Sequence, residues 1–267
     1  MLRCEAPVYR PKSLADALAM RADMPDATVI AGGTDVMVYL EGGTLSPSRL
    51  IDVWGVSELR WVAEDGHHFG AGATWTDLVN NASVPAVARE AALTVGAWQI
   101  QNRGTVGGNI ANSSPAGDSL PVWLALDAEF ELASVRGSRR VASKDYWLGY
   151  KRTALAAEEL IVAVHVPTVR GVTHFRKVGT RMAQSISKVV FCGRFVRGVE
   201  ARIAFGSVGP TPMRLLDVES ALVRQGPGWD IALLAQAAVK PIDDVRSTAA
   251  YRGRVVSQVL DAWFATF

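Results

Sequence analysis

Cysteine is almost missing from this chain. Two occur in 267 residues, Cys4 and Cys192. That is too few for a disulfide framework, and too few for an iron–sulfur cluster, which takes four thiolates. Histidine is scarce as well: the four, His67, His68, His165 and His174, show no spacing typical of metal ligands. His67 and His68 follow the turn Glu64-Asp65-Gly66 and are expected on an exposed hairpin strand; His165 is expected as a surface or interface residue of a strand. An excess of one charge is also lacking. With 28 Lys and Arg against 26 Asp and Glu, the net charge is +2, and without a basic run no nucleic-acid partner is indicated. No apolar run approaches the roughly 20 residues of a membrane span. The longest, such as Leu160 to Val166, have strand length. Charged residues from Arg3 to Asp23 interrupt any apolar signal region, so a cytoplasmic protein is expected.

What is present is a mixture of strand and helix signals without strict alternation, which predicts an α+β fold. Ser13-Leu14-Ala15-Asp16 has the form of a capping box and opens a short amphipathic helix. Thr28 to Ile30 reads as a buried strand, residues 36–40 as a short helix or turn, and Leu50 to Val53 as a strand. A hairpin is expected over 59–73, helices near 76–81, 85–93 and 119–128, and strands at 128–134 and 160–166. Gly104 to Asp118 has no hydrophobic period and reads as loop. Pro167 to Gly171 marks a boundary. Beyond it come strands near 174–179, 187–196 and 201–208, then helices near 217–224, 230–238 and 247–263.

Two glycine segments carry the chemistry. In Val29-Ile30-Ala31-Gly32-Gly33-Thr34-Asp35 a strand ends in paired glycines, which lets successive backbone N–H groups face one concavity and lets a ligand approach the main chain. The second is Gly104-Thr105-Val106-Gly107-Gly108-Asn109-Ile110-Ala111-Asn112-Ser113-Ser114-Pro115-Ala116-Gly117-Asp118. It again pairs glycines, now among hydroxyls and amides, and it ends in an acid before a helix. Asp118 either caps that helix or accepts hydrogen bonds from a ribose. Neither segment has the G-x-G-x-x-G spacing. Two phosphate-suited loops and an acid point to a dinucleotide cofactor.

Together these segments resemble the two FAD-binding signatures of the flavoprotein subunits of molybdenum hydroxylases, the family of xanthine dehydrogenase FAD-binding subunits and carbon monoxide dehydrogenase medium subunits. Similar to that family, too, are Gly149-Tyr150-Lys151-Arg152-Thr153-Ala154-Leu155 with Glu158-Glu159-Leu160-Ile161, and the run from Lys177 to Val189. Pro241-Ile242-Asp243-Asp244-Val245-Arg246-Ser247 and Tyr251-Arg252 resemble its final domain. The resemblance spans essentially the whole chain in family order.

It implies a two-lobed FAD-binding domain of the vanillyl-alcohol oxidase (PCMH) type over residues 1–170, with lobes of about 1–55 and 56–170, followed by a small α/β C-terminal domain over 171–267. Gly32, Gly33, Thr34 and Asp35 would wrap the FAD pyrophosphate with backbone amides, flanked by Val29, Ile30, Ala31 and Val36. Thr105, Val106, Gly107, Gly108, Asn109 and Ser113 would close on it from the other side, and Asp118 would hold the adenosine ribose. Val95, Gly96, Ile161, Lys177 and Ile186 match cofactor-facing positions, Ile186 near the isoalloxazine ring. No catalytic acid or base and no metal ligand is assigned. Arg246, Tyr251 and Arg252 are expected to fix a helix against the sheet, and Trp98 to serve core or subunit-interface packing. Gln101 departs from the family's common Arg, and the turn Arg197-Gly198-Val199-Glu200 is shorter than usual. The resemblance also implies partners: a small subunit with [2Fe–2S] clusters and a large molybdenum-cofactor subunit, in a dimer of heterotrimers, with electrons leaving the FAD for NAD, quinone or oxygen. A stand-alone flavin oxidoreductase and a flavin-free structural subunit are the alternatives.

Overall fold

The computed structural model describes residues 5–266, so Cys4 lies outside the described residues. The chain opens with β1 (Val8–Tyr9), α1 (Leu14–Asp23), β2 (Thr28–Ile30), α2 (Val36–Glu41) and β3 (Leu50–Asp52). The three strands form a parallel sheet in the order β1-β3-β2. Ser13 caps α1 by accepting from Asp16 N at 3.1 Å; the Asp16 carboxylate takes the amide of Lys12 rather than that of Ser13, so the box closes one residue early. β2 is half-buried rather than buried, because one side of it faces a cleft.

The chain continues through β4 (His68–Gly70), α3 (Trp75–Asn80), α4 (Ala86–Thr94), α5 (Trp98–Gln101), α6 (Val106–Asn112), α7 (Leu120–Ala125), β5 (Glu129–Ser134) and β6 (Gly137–Ala142). After α8 (Ser143–Tyr146) and the small pair β7 (Trp147–Gly149) and β8 (Arg152–Thr153) comes β9 (Leu160–His165). The antiparallel sheet runs β4-β9-β5-β6. The expected hairpin over 59–73 reduces to one bridge, Val62 to Phe69, around the left-handed Gly66. His68 is half-buried, not exposed, and lies opposite His165, with the two Nδ1 atoms 3.1 Å apart. His165 Nε2 in turn lies 2.8 Å from the Glu131 carboxylate.

The segment expected to be all loop contains α6. Two glycines and two asparagines are poor helix formers, which hides the element from propensity. It forms because Thr105 caps it at Gly108 N and because Val106, Gly107 and Ile110 are buried. β6 was not expected either: it is a polar edge strand, exposed from Gly137 to Arg140, and so has no alternating pattern to read.

The last segment holds β10 (Val172–Val178), β11 (Val189–Val196), β12 (Glu200–Gly206) and β13 (Met213–Arg214) in one antiparallel sheet, then α9 (Leu216–Gln225), α10 (Trp229–Ala238) and α11 (Ala249–Phe264). Successive side chains of a strand face opposite ways, and here both faces are covered. Phe175, Val190, Cys192 and Ala204 join the core built by α3, α4, α6, α7 and the second sheet. Val189, Phe191, Phe195 and Phe205 pack with α9–α11 around Trp263. Among the described residues no helix is long and apolar enough to cross a membrane.

Candidate functional site

The first glycine segment leaves β2 and turns into α2. Gly33 has φ 77°, a left-handed conformation that suits glycine. A Cβ on Gly32 would lie 1.6 Å from the carbonyl oxygen of Arg103, so the two glycine segments meet backbone to backbone. The amides of Gly32, Gly33, Thr34 and Asp35 have no acceptor among the described residues. Four successive free N–H groups at the wall of a cleft form an oxyanion-binding concavity. Burial pushes the Asp35 carboxyl above its ordinary value, with Lys151 opposing. Tyr39 of α2 donates to Asn112 Oδ1 at 3.0 Å, joining α2 to the end of α6, and Lys151 Nζ lies 4.6 Å over its ring.

In the second segment the amides are already used. Val106 N donates to Ala73 O at 2.9 Å, Gly107 N to Ala71 O at 2.8 Å, and Gly108 N to Thr105 Oγ1 at 3.1 Å. Its glycines therefore serve close approach: a Cβ on Gly107 would lie 2.5 Å from that of Ala71. Asn109 Oδ1 accepts from Ser119 Oγ at 2.8 Å, which leaves the Asn109 amide nitrogen as the donor on this wall. Ser113 adopts φ 52° with a buried, unpartnered hydroxyl.

Asp118 does not cap α7; Ser119 holds that position and makes no side-chain cap bond. Its carboxylate instead meets Lys177 Nζ at 2.6 Å and the Ser187 hydroxyl, while Lys177 also donates to Thr94 O at 2.9 Å. Lys177 is thus 7% exposed, not solvated. Burial pushes the Asp118 carboxyl up, and Lys177, Ser187 and Thr94 pull against it. Each carboxylate oxygen has a second lone pair, so Asp118 can still accept. Gly96 O accepts from Gln184 N at 3.0 Å, which holds the 179–187 loop, with the half-exposed Ile186, beside Val95 and Gly96. Gln101 is buried and donates to Leu93 O at 3.0 Å and Val95 O at 3.2 Å, a neutral brace behind the cleft wall.

These parts surround one cleft of about 1480 Å³, well above the roughly 300–1,000 Å³ of a site for a drug-sized molecule. Val29, Ala31 to Val36, Val95, Gly96, Thr105, Gly107 to Asn109, Asp118, Ile161 and Ile186 all line it. Ile30, Val106, Ser113 and Lys177 stand behind its wall, the last acting through Asp118. Sequence reasoning missed Trp54, whose ring is covered by Arg103 at 3.7 Å and Arg60 at 4.5 Å, as well as Tyr39 and the C-terminal residues Ser207, Lys240, Arg246 and Arg252. The motif around Arg246 and Arg252 marks them as helix braces rather than cleft residues, and the others carry no local pattern, since only tertiary folding brings them to the cleft. Trp98 is 74% exposed and joins no core among the described residues. A smaller recess of about 510 Å³ at Arg60, Trp61, Asp77 and Asn80 contains none of the glycine residues.

A glycine-walled cleft bordered by loops and a helix of the C-terminal segment has the form of a flavoprotein's FAD site. Residues 3–169 match the family model described as FAD binding domain in molybdopterin dehydrogenase, and residues 175–266 that of the CO dehydrogenase flavoprotein C-terminal domain. The chain belongs to this family of molybdopterin-dehydrogenase FAD-binding subunits. It is 32% identical to the xanthine dehydrogenase FAD-binding subunit of Escherichia coli O157:H7 over 92% of this chain and 88% of the relative. It is also 32% identical to the carbon monoxide dehydrogenase medium chain of Afipia carboxidovorans, over 94% and 93%. Among solved structures, reconstituted CO dehydrogenase from Oligotropha carboxidovorans superposes with a TM-score of 0.90 at 28% identity, covering 98% of this chain and 97% of that one. The protein is therefore an oxidoreductase subunit with FAD as its cofactor, and the free amide row opposite a close-packed glycine wall fits the diphosphate of that cofactor.

Proposed function

We propose that this chain is an electron relay. It would receive electrons from [2Fe–2S] clusters of a small partner subunit, reduced at the molybdenum centre of a large one, and pass them to NAD, quinone or oxygen. The amide row of Gly32 to Asp35 carries the reading, because four donors at a cleft wall with no acceptor among the described residues suit an anionic ligand. Bound FAD supplies the exchange between single-electron and two-electron carriers. The chain's own residues bind and orient. Gly32, Gly33, Thr34 and Asp35 hold the diphosphate through their amides. Thr105, Gly107, Gly108 and Asn109 approach it from the opposite wall, supported from behind by Ile30, Val106 and Ser113. Asp118, fixed by Lys177, accepts from the ribose. Val29, Ala31, Val36, Val95, Gly96, Ile161 and Ile186 cover the apolar parts and exclude water.

Only two cysteines occur in the sequence, so clusters would have to come from another chain, which supports partner subunits. A dimer of heterotrimers and a cytoplasmic location complete the proposal. A stand-alone oxidoreductase with a tethered flavin is less well supported, since no histidine or cysteine lines the cleft among the described residues. The test is the visible spectrum of the purified chain before and after FAD addition, with acid extraction. A releasable flavin, weakened by Gly108→Ala or Asp118→Asn, and co-purification of iron and molybdenum with partner chains are expected. A chain that takes up no flavin would leave a structural subunit as the better account.

A further inference from the structure

The cleft extends past the glycine segments into the C-terminal part of the chain. Ser207, just after β12, and Arg252 in α11 lie at its floor, and Lys240, Asp244 and Arg246 at its rim. The Arg252 guanidinium is fixed from two sides: Nη1 donates to Ser207 O at 2.7 Å and Nη2 to Asp244 Oδ1 at 2.7 Å. Ser207 is 5% and Arg252 4% exposed. Yet Ser207 Oγ and Arg252 Nε are both without a partner among the described residues. Buried polar groups are normally paired, so two orphans side by side on one cleft floor call for an explanation. Ser207 also has φ 64°, a left-handed conformation that residues with a Cβ avoid. Its amide donates to Pro115 O of the second glycine segment at 2.8 Å, which fixes the residue in that position.

Two guanidinium groups share one carboxylate here, and a third cation stands nearby. Asp244 is shared between Arg252 and, at 3.4 Å, Arg246. Most of the Arg246 fork therefore remains free, and Lys240 Nζ has no ion-pair partner among the described residues. Asp243, the neighbouring acid, is occupied by the amide of Ala249 at the start of α11.

We infer that Lys240, Arg246, Arg252 and the Ser207 hydroxyl form an oxyanion subsite for a second, phosphate-bearing molecule that binds beside the flavin. A phosphate group presents the lone pairs that an ammonium and guanidinium forks recognise, and it would satisfy both orphaned atoms. The flavin's own diphosphate is the competing source of phosphate. It is disfavoured because the amide row that suits it belongs to residues 32–35, and no hydrogen bond links that row to the residues of this subsite. The inference rests on the reading of those amides as the flavin's diphosphate site.

The test is calorimetric titration of inorganic pyrophosphate into the FAD-loaded chain and into its Lys240→Gln and Arg246→Gln variants. Both side chains are exposed, so the variants should fold. Saturable binding to the loaded chain is expected, weakened on the order of tenfold by either substitution, with flavin content unchanged. Ser207→Gly should weaken binding while relaxing the backbone, an outcome that a purely structural serine would not give. Binding only to flavin-free chain, variants that lose flavin rather than pyrophosphate, or no effect of either variant would overturn the subsite. Failure to take up FAD at all would sink the relay reading instead. Pyrophosphate binding that still depended on Lys240 and Arg246 would then leave the oxyanion subsite standing.

Discussion

At the scale of single residues, Gly32 is decided by space and Asp244 by charge. Alanine at position 32 would put a methyl 1.6 Å from the Arg103 carbonyl, and neither backbone can yield without moving a glycine segment. Gly32→Ala should cost roughly 3 kcal/mol or more and abolish flavin retention, read by thermal unfolding and by absorbance. At Asp244, desolvation pushes the carboxyl up, but the Arg246 amide, the Arg252 guanidinium and the Ser247 amide outweigh it and hold the value at about 2. A carboxylate depressed in the folded state adds stability above its unfolded value of about 4 and loses it as pH falls towards the folded one. Urea midpoints of wild type and Asp244→Asn should therefore differ at pH 6 and draw together as pH falls towards 2. A gap that stays constant would mean that Asp244 contributes through shape alone.

At the scale of elements, what could be read in advance depended on where each element buries itself. α9–α11 show an apolar face and β10–β12 β-branched and aromatic runs buried on one or both faces, and the sequence places them within a few residues. α6 could not be read, since its burial is achieved by glycine against Ala71 rather than by large side chains. β6 faces solvent and has no period to show. The glycine segments were legible because their chemistry is local, whereas Trp54, Tyr39 and Ser207 reach the cleft only through tertiary contacts. The same holds for the junction at Asp127. Its carboxylate takes Arg194 at 2.6 Å, Arg202 at 2.8 Å and Arg214 at 2.9 Å, tying the turn after α7 to β11, β12 and β13. Arg194 is 7% exposed and keeps only Glu200, at 3.3 Å, once Asp127→Asn removes the shared charge. About 2 kcal/mol of stability should be lost, measured by denaturant unfolding, and a variant as stable as wild type would show the cluster to be incidental.

At the scale of the whole molecule, the C-terminal sheet is shared property. Phe175, Val190, Cys192 and Ala204 complete the core of the preceding segment, while alternate residues of the same strands complete the core under α9–α11. Residues 1–170 expressed alone should lack a covered core and unfold without a cooperative transition. Sharp near-ultraviolet dichroism and a cooperative melt from that fragment would contradict this.

The free amide row has a consequence for how the chain persists in a cell. Four N–H groups that find no acceptor among the described residues are solvated until a ligand takes them, so the ligand acts on the folding equilibrium by mass action. A cofactor at a hundred times its dissociation constant adds about 2.7 kcal/mol to the folded state. The abundance of this protein is then coupled to flavin supply: when riboflavin runs short, the apoprotein is the form that proteases remove first.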